Sequence, residues 1–147
     1  MSADKQYEDA LRSLRIIERD VLPEGRFMSY GTLAKELGYV PSKYARHIGQ
    51  VCSLIDAACY WAKLPMISVE KVRMDDGSYN PDSIGGELRP VKSQLIDNAS
   101  QRTWSSEDIA KLINTLNVHM NGEGAVLQWA KISSFGDEAM RRLSNYR

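Results

Sequence analysis

Lys43, Arg46 and His47 stand close together in the run Lys43-Tyr44-Ala45-Arg46-His47-Ile48-Gly49, which contains no acid. On a helix these side chains would meet phosphates and base edges. A phosphate needs positive charge or a polar hydrogen, and a base edge suits the planar fork of a guanidinium. Upstream, Ser29 and Tyr30 carry hydroxyls of the kind that hold a phosphate oxygen and set the register of a bound duplex. Ser29, Tyr30, Lys43, Arg46 and His47 are therefore the candidate DNA-binding residues. The alternative for the same stretch is a solvated helix face.

Other chemistry has less to stand on. His47 and His119 have no Cys or His partner at ligand spacing, so no metal site is expected. Cys52 and Cys59 are seven residues apart, which on a helix is roughly 10 Å and too far to bridge. On the apolar face of that helix they read as inert structural thiols. Glu70, Asp75, Asp76 and Asp82 lie near a turn, and a small metal-dependent enzyme would have to use them, but their spacing fits no calcium loop. No phosphate loop, dinucleotide fingerprint or nucleophile elbow occurs. Hence no catalytic residue and no cofactor are assigned. Trp61, Trp104 and Trp129 read as core or packing residues.

These residues need elements to hold them. Tyr7, Ala10, Leu11, Leu14, Ile17 and Val21 recur at three and four, predicting a helix over 4–22 that ends at Pro23 and Gly25. Ser29 is placed to cap a short helix that ends at Gly38. After the connection Tyr39-Val40-Pro41, Ser42 is placed to cap a second helix carrying Ile48, Val51, Cys52, Ile55 and Cys59 inward, which either runs to Lys63 or breaks near Gly49 or Asp56. Short helix, brief turn and longer helix make a helix-turn-helix pattern. Met66–Val72 reads as a strand with Ile67 and Val69 inward, followed by a turn at Asp75-Asp76-Gly77-Ser78 and a weak return strand interrupted by Pro81. That hairpin would be the wing of a winged helix. Leu88, Val91, Leu95 and Ile96 suggest a short helix. Ile109, Leu112, Ile113 and Leu116 suggest another, capped by Ser105 or Ser106. Two short helices are expected around Val126–Ala130 and Ala139–Leu143.

The segments Phe27-Met28-Ser29-Tyr30-Gly31-Thr32-Leu33-Ala34, Ala45-Arg46-His47-Ile48-Gly49-Gln50 and Leu64-Pro65-Met66-Ile67 together resemble the C-terminal domain of the DNA alkyltransferases and alkyltransferase-like proteins. The resemblance spans about residues 7–78. It implies that Arg46 enters the duplex in place of an extruded nucleotide and that Tyr30 helps rotate that nucleotide's phosphate. Extrusion costs a few kcal/mol, roughly, so a plug of this kind has a clear use. Where the family has its reactive cysteine and the following histidine, this chain has Val69 and Glu70, so alkyl transfer is not expected. The stretch between Gln50 and Lys63 is longer than in the family, which implies a rebuilt second half without a lesion pocket. The same opening and helix also resemble helix-turn-helix modules of uncharacterised bacterial and phage proteins, in which a leucine-proline and a short strand follow.

The whole composition bounds these readings. The chain has 147 residues, 43% of them hydrophobic and 26% charged, enough for a packed core. Nineteen Lys and Arg balance nineteen Asp and Glu, which excludes a strongly basic body built to coat nucleic acid but allows a local basic patch. A reducing, cytoplasmic setting and no membrane span are expected. The reading is a mainly α fold with a small β-hairpin. Residues 1–80 would form a winged-helix-like module with an N-terminal bracing helix, and residues 81–147 a helical extension packed on it. The function expected is non-catalytic binding of double-stranded DNA, weak alone and strengthened by self-association or a protein partner. The alternative is a small phage- or defence-related adaptor that uses the same helices to bind another protein.

Overall fold

The computed structural model describes residues 3–81 and 92–119, and over these the fold is mainly helical with one two-stranded sheet. Helix α1 (Ala3–Asp20) is followed by a turn of 3-10 helix at Leu22–Glu24, strand β1 (Met28–Ser29), α2 (Tyr30–Glu36), α3 (Pro41–Ala62), α4 (Ile67–Lys71), β2 (Val72–Arg73), α5 (Lys92–Gln101) and α6 (Ser106–His119). The helices expected around Val126–Ala130 and Ala139–Leu143, the positions Leu88 and Val91 and the residues Asp82 and Trp129 lie outside the described residues.

Local chemistry sets most helix ends. Ser29 Oγ accepts from the Thr32 amide at 3.0 Å and caps α2. Gly38, with φ near +90°, turns the chain out of α2 in the left-handed region that glycine adopts without strain. At α6, Ser105 Oγ accepts from the Asp108 amide while the Asp108 carboxylate accepts from the Ser105 amide, a reciprocal capping box. The start of α3 differs from expectation. Val40 is the N-cap and Pro41 the first helical residue, so Ser42 does not cap it. Its irregularity falls at Tyr44 (φ −116°, ψ 17°), whose ring packs on Tyr39 at 4.8 Å, rather than at Gly49 or Asp56.

The segment expected as a strand is the helix α4. Ile67, Ser68, Val69 and Glu70 are all buried, where a half-buried strand would alternate. The reason is tertiary. The Asp56 carboxylate on α3 accepts from the Ser68 amide at 3.0 Å and from Ser68 Oγ at 2.6 Å, satisfying a first-turn amide of α4 from another helix. The β-preference of Ile67 and Val69 yields to that contact. Glu70 is buried with Arg73 and Lys71 as its ion-pair partners.

The sheet is parallel, not a hairpin. Met28 pairs with Val72 and Ser29 with Arg73. A parallel pair needs a long crossover, and α2, α3 and α4 supply it. The turn after β2 does form: the Gly77 amide donates to Met74 O and the Met74 amide to Ser78 O, both at 2.9 Å. Tyr79 and Asn80 beyond it are in no strand. Arg73 holds this segment, its guanidinium stacked between the rings of Phe27 (4.3 Å) and Tyr79 (4.5 Å).

One apolar cluster joins the elements. It includes Leu14 and Ile17 of α1, Leu33 of α2, Ile48 and Ile55 of α3, Ile67 of α4, Leu95 of α5, and Ile109, Leu112 and Leu116 of α6. Trp104 is buried in it, with its indole N–H donating to Ala99 O at 3.0 Å. Trp61, expected in the core, is 39% exposed. Among the described residues no helix is long and apolar enough to cross a membrane.

Candidate functional site

Helices α2 and α3, joined through residues 37–40, present the residues singled out by type and spacing. Arg46 and Lys43 are on the exposed side of α3. Lys43 Nζ lies 5.6 Å from the centre of the Tyr44 ring. Among the described residues every arginine but Arg46 forms an ion pair with an acid. The Arg46 fork is therefore uncommitted within the described fold.

His47 does not face outward with them. It is 5% exposed, and its Nε2 lies 2.7 Å from Asp9 Oδ2 on α1. The 100° step between neighbours on a helix turns it from the solvent side of Arg46 to the core side. Tyr39 Oη donates to the same Asp9 oxygen at 2.5 Å, and Arg12 donates to the other at 3.2 Å. Burial alone would raise the Asp9 carboxyl, but the bonds from Tyr39 and His47 and the Lys5 charge hold it below the ordinary carboxylate range. This cluster joins α1 to α3 and takes His47 out of the outward-facing set.

Ser29 caps α2 with the hydroxyl expected to meet a phosphate. A Cβ on Gly31 would stand 3.3 Å from Asp75 Oδ1, so a carboxylate already faces the first turn of α2. Tyr30 points elsewhere. Its hydroxyl accepts from Asn80 Nδ2 at 3.2 Å, and burial raises its pKa.

Tyr30 and Arg46 line one cavity of about 260 Å³, together with Cys52, Asp56, Ser68 and Asn80. The longer stretch after Gln50 implied no pocket; the structure has a cavity beside it. Exposed Arg46 marks its open side. Asp56 (4% exposed) and Ser68 (2%) mark its closed side. Its size is just under the roughly 300–1,000 Å³ of pockets for drug-sized ligands, a scale that suits a single planar ring system.

Asp56 was missed as a site residue. Burial pushes its carboxyl up to about 7, with the two bonds from Ser68 opposing the rise. One signal for it was present: Asp56 is the sole charged residue between Val51 and Ala62, on a helix whose inner face is apolar. Cys52 and Cys59 are both buried and unpaired as disulfides, and burial drives both thiols upward, away from reactivity.

Of the four acidic residues near the turn, Asp82 lies outside the described residues and the other three are engaged separately. Glu70 faces Arg73 and Lys71, and Asp76 accepts from Ser78 in the turn. Among the described residues no three His, Cys, Asp or Glu side chains are arranged to hold a metal ion. Compared with family models, curated proteins and solved structures, the chain matches none of them.

Proposed function

We propose that this chain is a non-catalytic DNA-binding protein of helix-turn-helix, alkyltransferase-like type. In this reading α2 and α3 are the two helices of the motif, and α3 meets the duplex with Arg46 and Lys43. Arg46 takes the place of an extruded nucleotide, Tyr30 guides that nucleotide's phosphate, and the cavity behind them receives the base. His47 serves by fixing α3 to α1, and Ser29 by capping α2. The observation that carries the reading is the meeting of Tyr30 and Arg46 at one ring-sized cavity, with Arg46 free of acidic partners among the described residues. An unpaired guanidinium can fill a base-sized gap and donate to the orphaned base.

The test is fluorescence anisotropy with two labelled duplexes, one plain and one holding an alkylated guanine, at about 50 and 200 mM salt. Binding should weaken with salt, as phosphate contacts demand. Arg46→Ala should weaken it at least about tenfold, the worth of one good base contact, without moving the melting temperature, because the side chain is exposed. Equal binding by the two proteins sinks the reading.

A second reading, a protein adaptor, rests on a more open groove of about 480 Å³ between α1 and α6, floored by Leu11, Ile16 and Ile113 and edged by Arg12, Arg15 and Arg19. Absence of duplex binding at protein concentrations on the order of tens of micromolar, where even non-specific binders associate, would favour it.

A further inference from the structure

The closed side of the cavity is acidic, and its architecture does not require that. Asp56 caps α4 by accepting from the Ser68 amide. An asparagine would do the same through its carbonyl oxygen while its amide donated to Ser68 Oγ, and no ionisable group would be buried. The chain instead keeps a carboxylate at the wall of a cavity. Ionised, that carboxylate only accepts, and it offers about four lone-pair sites. Ser68 N and Oγ take two. Among the described residues no other group donates to it, so those left are open to hydrogens brought from outside or to water.

Among the described residues nothing on the closed side supplies positive charge. The residues there are Cys52, Asp56 and Ser68, and the cavity's cation, Arg46, is on the exposed side. An incoming carbonyl or ring lone pair would therefore face a carboxylate and remain unpaired, whereas an N–H would find an acceptor. From this arrangement, and resting on the DNA-binding reading above, we infer that the cavity takes the extruded nucleobase amino edge first, with Asp56 as the acceptor. The ligand class is a base that bears an exocyclic amine. A base with a carbonyl at the same place is discriminated against.

Matched duplexes at about pH 8, where the Asp56 carboxyl with its pKa of about 7 is mostly ionised, test this. The test nucleotide is set opposite an abasic site, where it is unpaired and extrusion is cheapest. Adenine is compared with hypoxanthine, and cytosine with uracil, so that each pair exchanges an exocyclic amine for a carbonyl and the adjacent ring acceptor for an N–H; adenine is also paired with unsubstituted purine, which loses the amine and gains no N–H. The full-length protein should bind the amino member of each pair at least about tenfold more tightly, because a buried site built around a hydrogen bond rejects the analogue that lacks it. Asp56→Asn should lose that preference. The wild-type comparison needs no variant, so it holds even if the substitution disturbs folding. Equal affinities within each pair, or preference for the carbonyl member, alongside salt-sensitive binding of plain duplex, overturn the inference and leave the DNA-binding reading standing. Failure to bind any duplex overturns both.

Discussion

Asp56 works against the stability of the protein at neutral pH. Its folded pKa of about 7 lies above the ordinary value of 3.8, so the native state binds the proton more tightly than the unfolded chain does. The stability it lends is complete below about pH 4 and is lost as pH rises through 7. Three units of displacement correspond to a cost on the order of 4 kcal/mol once the group is fully ionised. The groups around it, Ser68, Cys52, Cys59 and Tyr30, stay neutral across that window, since burial raises both thiols and the phenol. Asp56→Asn removes the proton linkage and keeps both bonds to Ser68. Its melting temperature should exceed that of the wild type by several degrees at pH 8, and the gain should shrink at pH 5. A variant that melts lower at both pH values would show that the carboxylate is needed for folding itself. Asp9 has the opposite sign: its lowered carboxyl stabilises at neutral pH and is lost as pH falls through its folded pKa, so the two residues govern different limbs of the stability curve. The exposed place of Arg46 on α3 was legible from local sequence, because the apolar residues around it mark the opposite face of the helix as the inner one. Asp56 matters through Ser68, twelve residues away and on another helix, which no local pattern reports.

At the scale of elements, position along the chain predicts some helices and not others. Helices α1, α2 and α6 have an apolar stripe or a capping residue within their own sequence, and the structure follows both. α4 has neither. It has five residues with two β-branched side chains, and tertiary contact holds it, with the Asp56 carboxylate of α3 accepting from a first-turn amide. The parallel sheet has the same origin, since β1 and β2 are two residues each and meet only because the helices between them return the chain. The placement of α3 depends on α1 through the Asp9 cluster. Asp9→Ala would leave buried His47 Nε2 without its carboxylate and take one acceptor from the half-buried Tyr39 hydroxyl. The expected loss is about 2–4 kcal/mol, the cost of stranding buried polar partners. Urea unfolding at pH 7 measures it, and a loss below about 1 kcal/mol would mean that apolar contact alone positions α3.

For the whole molecule the question is whether α5 and α6 are an appendage or part of the body that presents the site. Composition could not answer it: charge is balanced and apolar residues run through both halves. The structure packs α6 against both α1 and α3, and Ile109, Leu112 and Leu116 are fully buried in the cluster that holds Leu14 and Ile55. Because α3 carries Arg46 and Asp56, loosening α6 removes one of the helices packed against the helix that carries the site. A core shared in this way should unfold as a unit. Leu112→Ala creates a cavity at the centre of it and should cost about 2–5 kcal/mol. It should also weaken the fold everywhere at once. Near-ultraviolet circular dichroism reports the packing of aromatic side chains, including buried Trp104, while far-ultraviolet circular dichroism reports all the helices. In wild type and variant alike the two should give coincident unfolding curves, with the variant's midpoint lower in both signals by the same amount. Loss of only part of the helical and part of the aromatic signal at a lowered midpoint, with the rest kept at the wild-type midpoint, would make α5 and α6 a separate unit, and α3 would then owe its position to α1, α2 and α4.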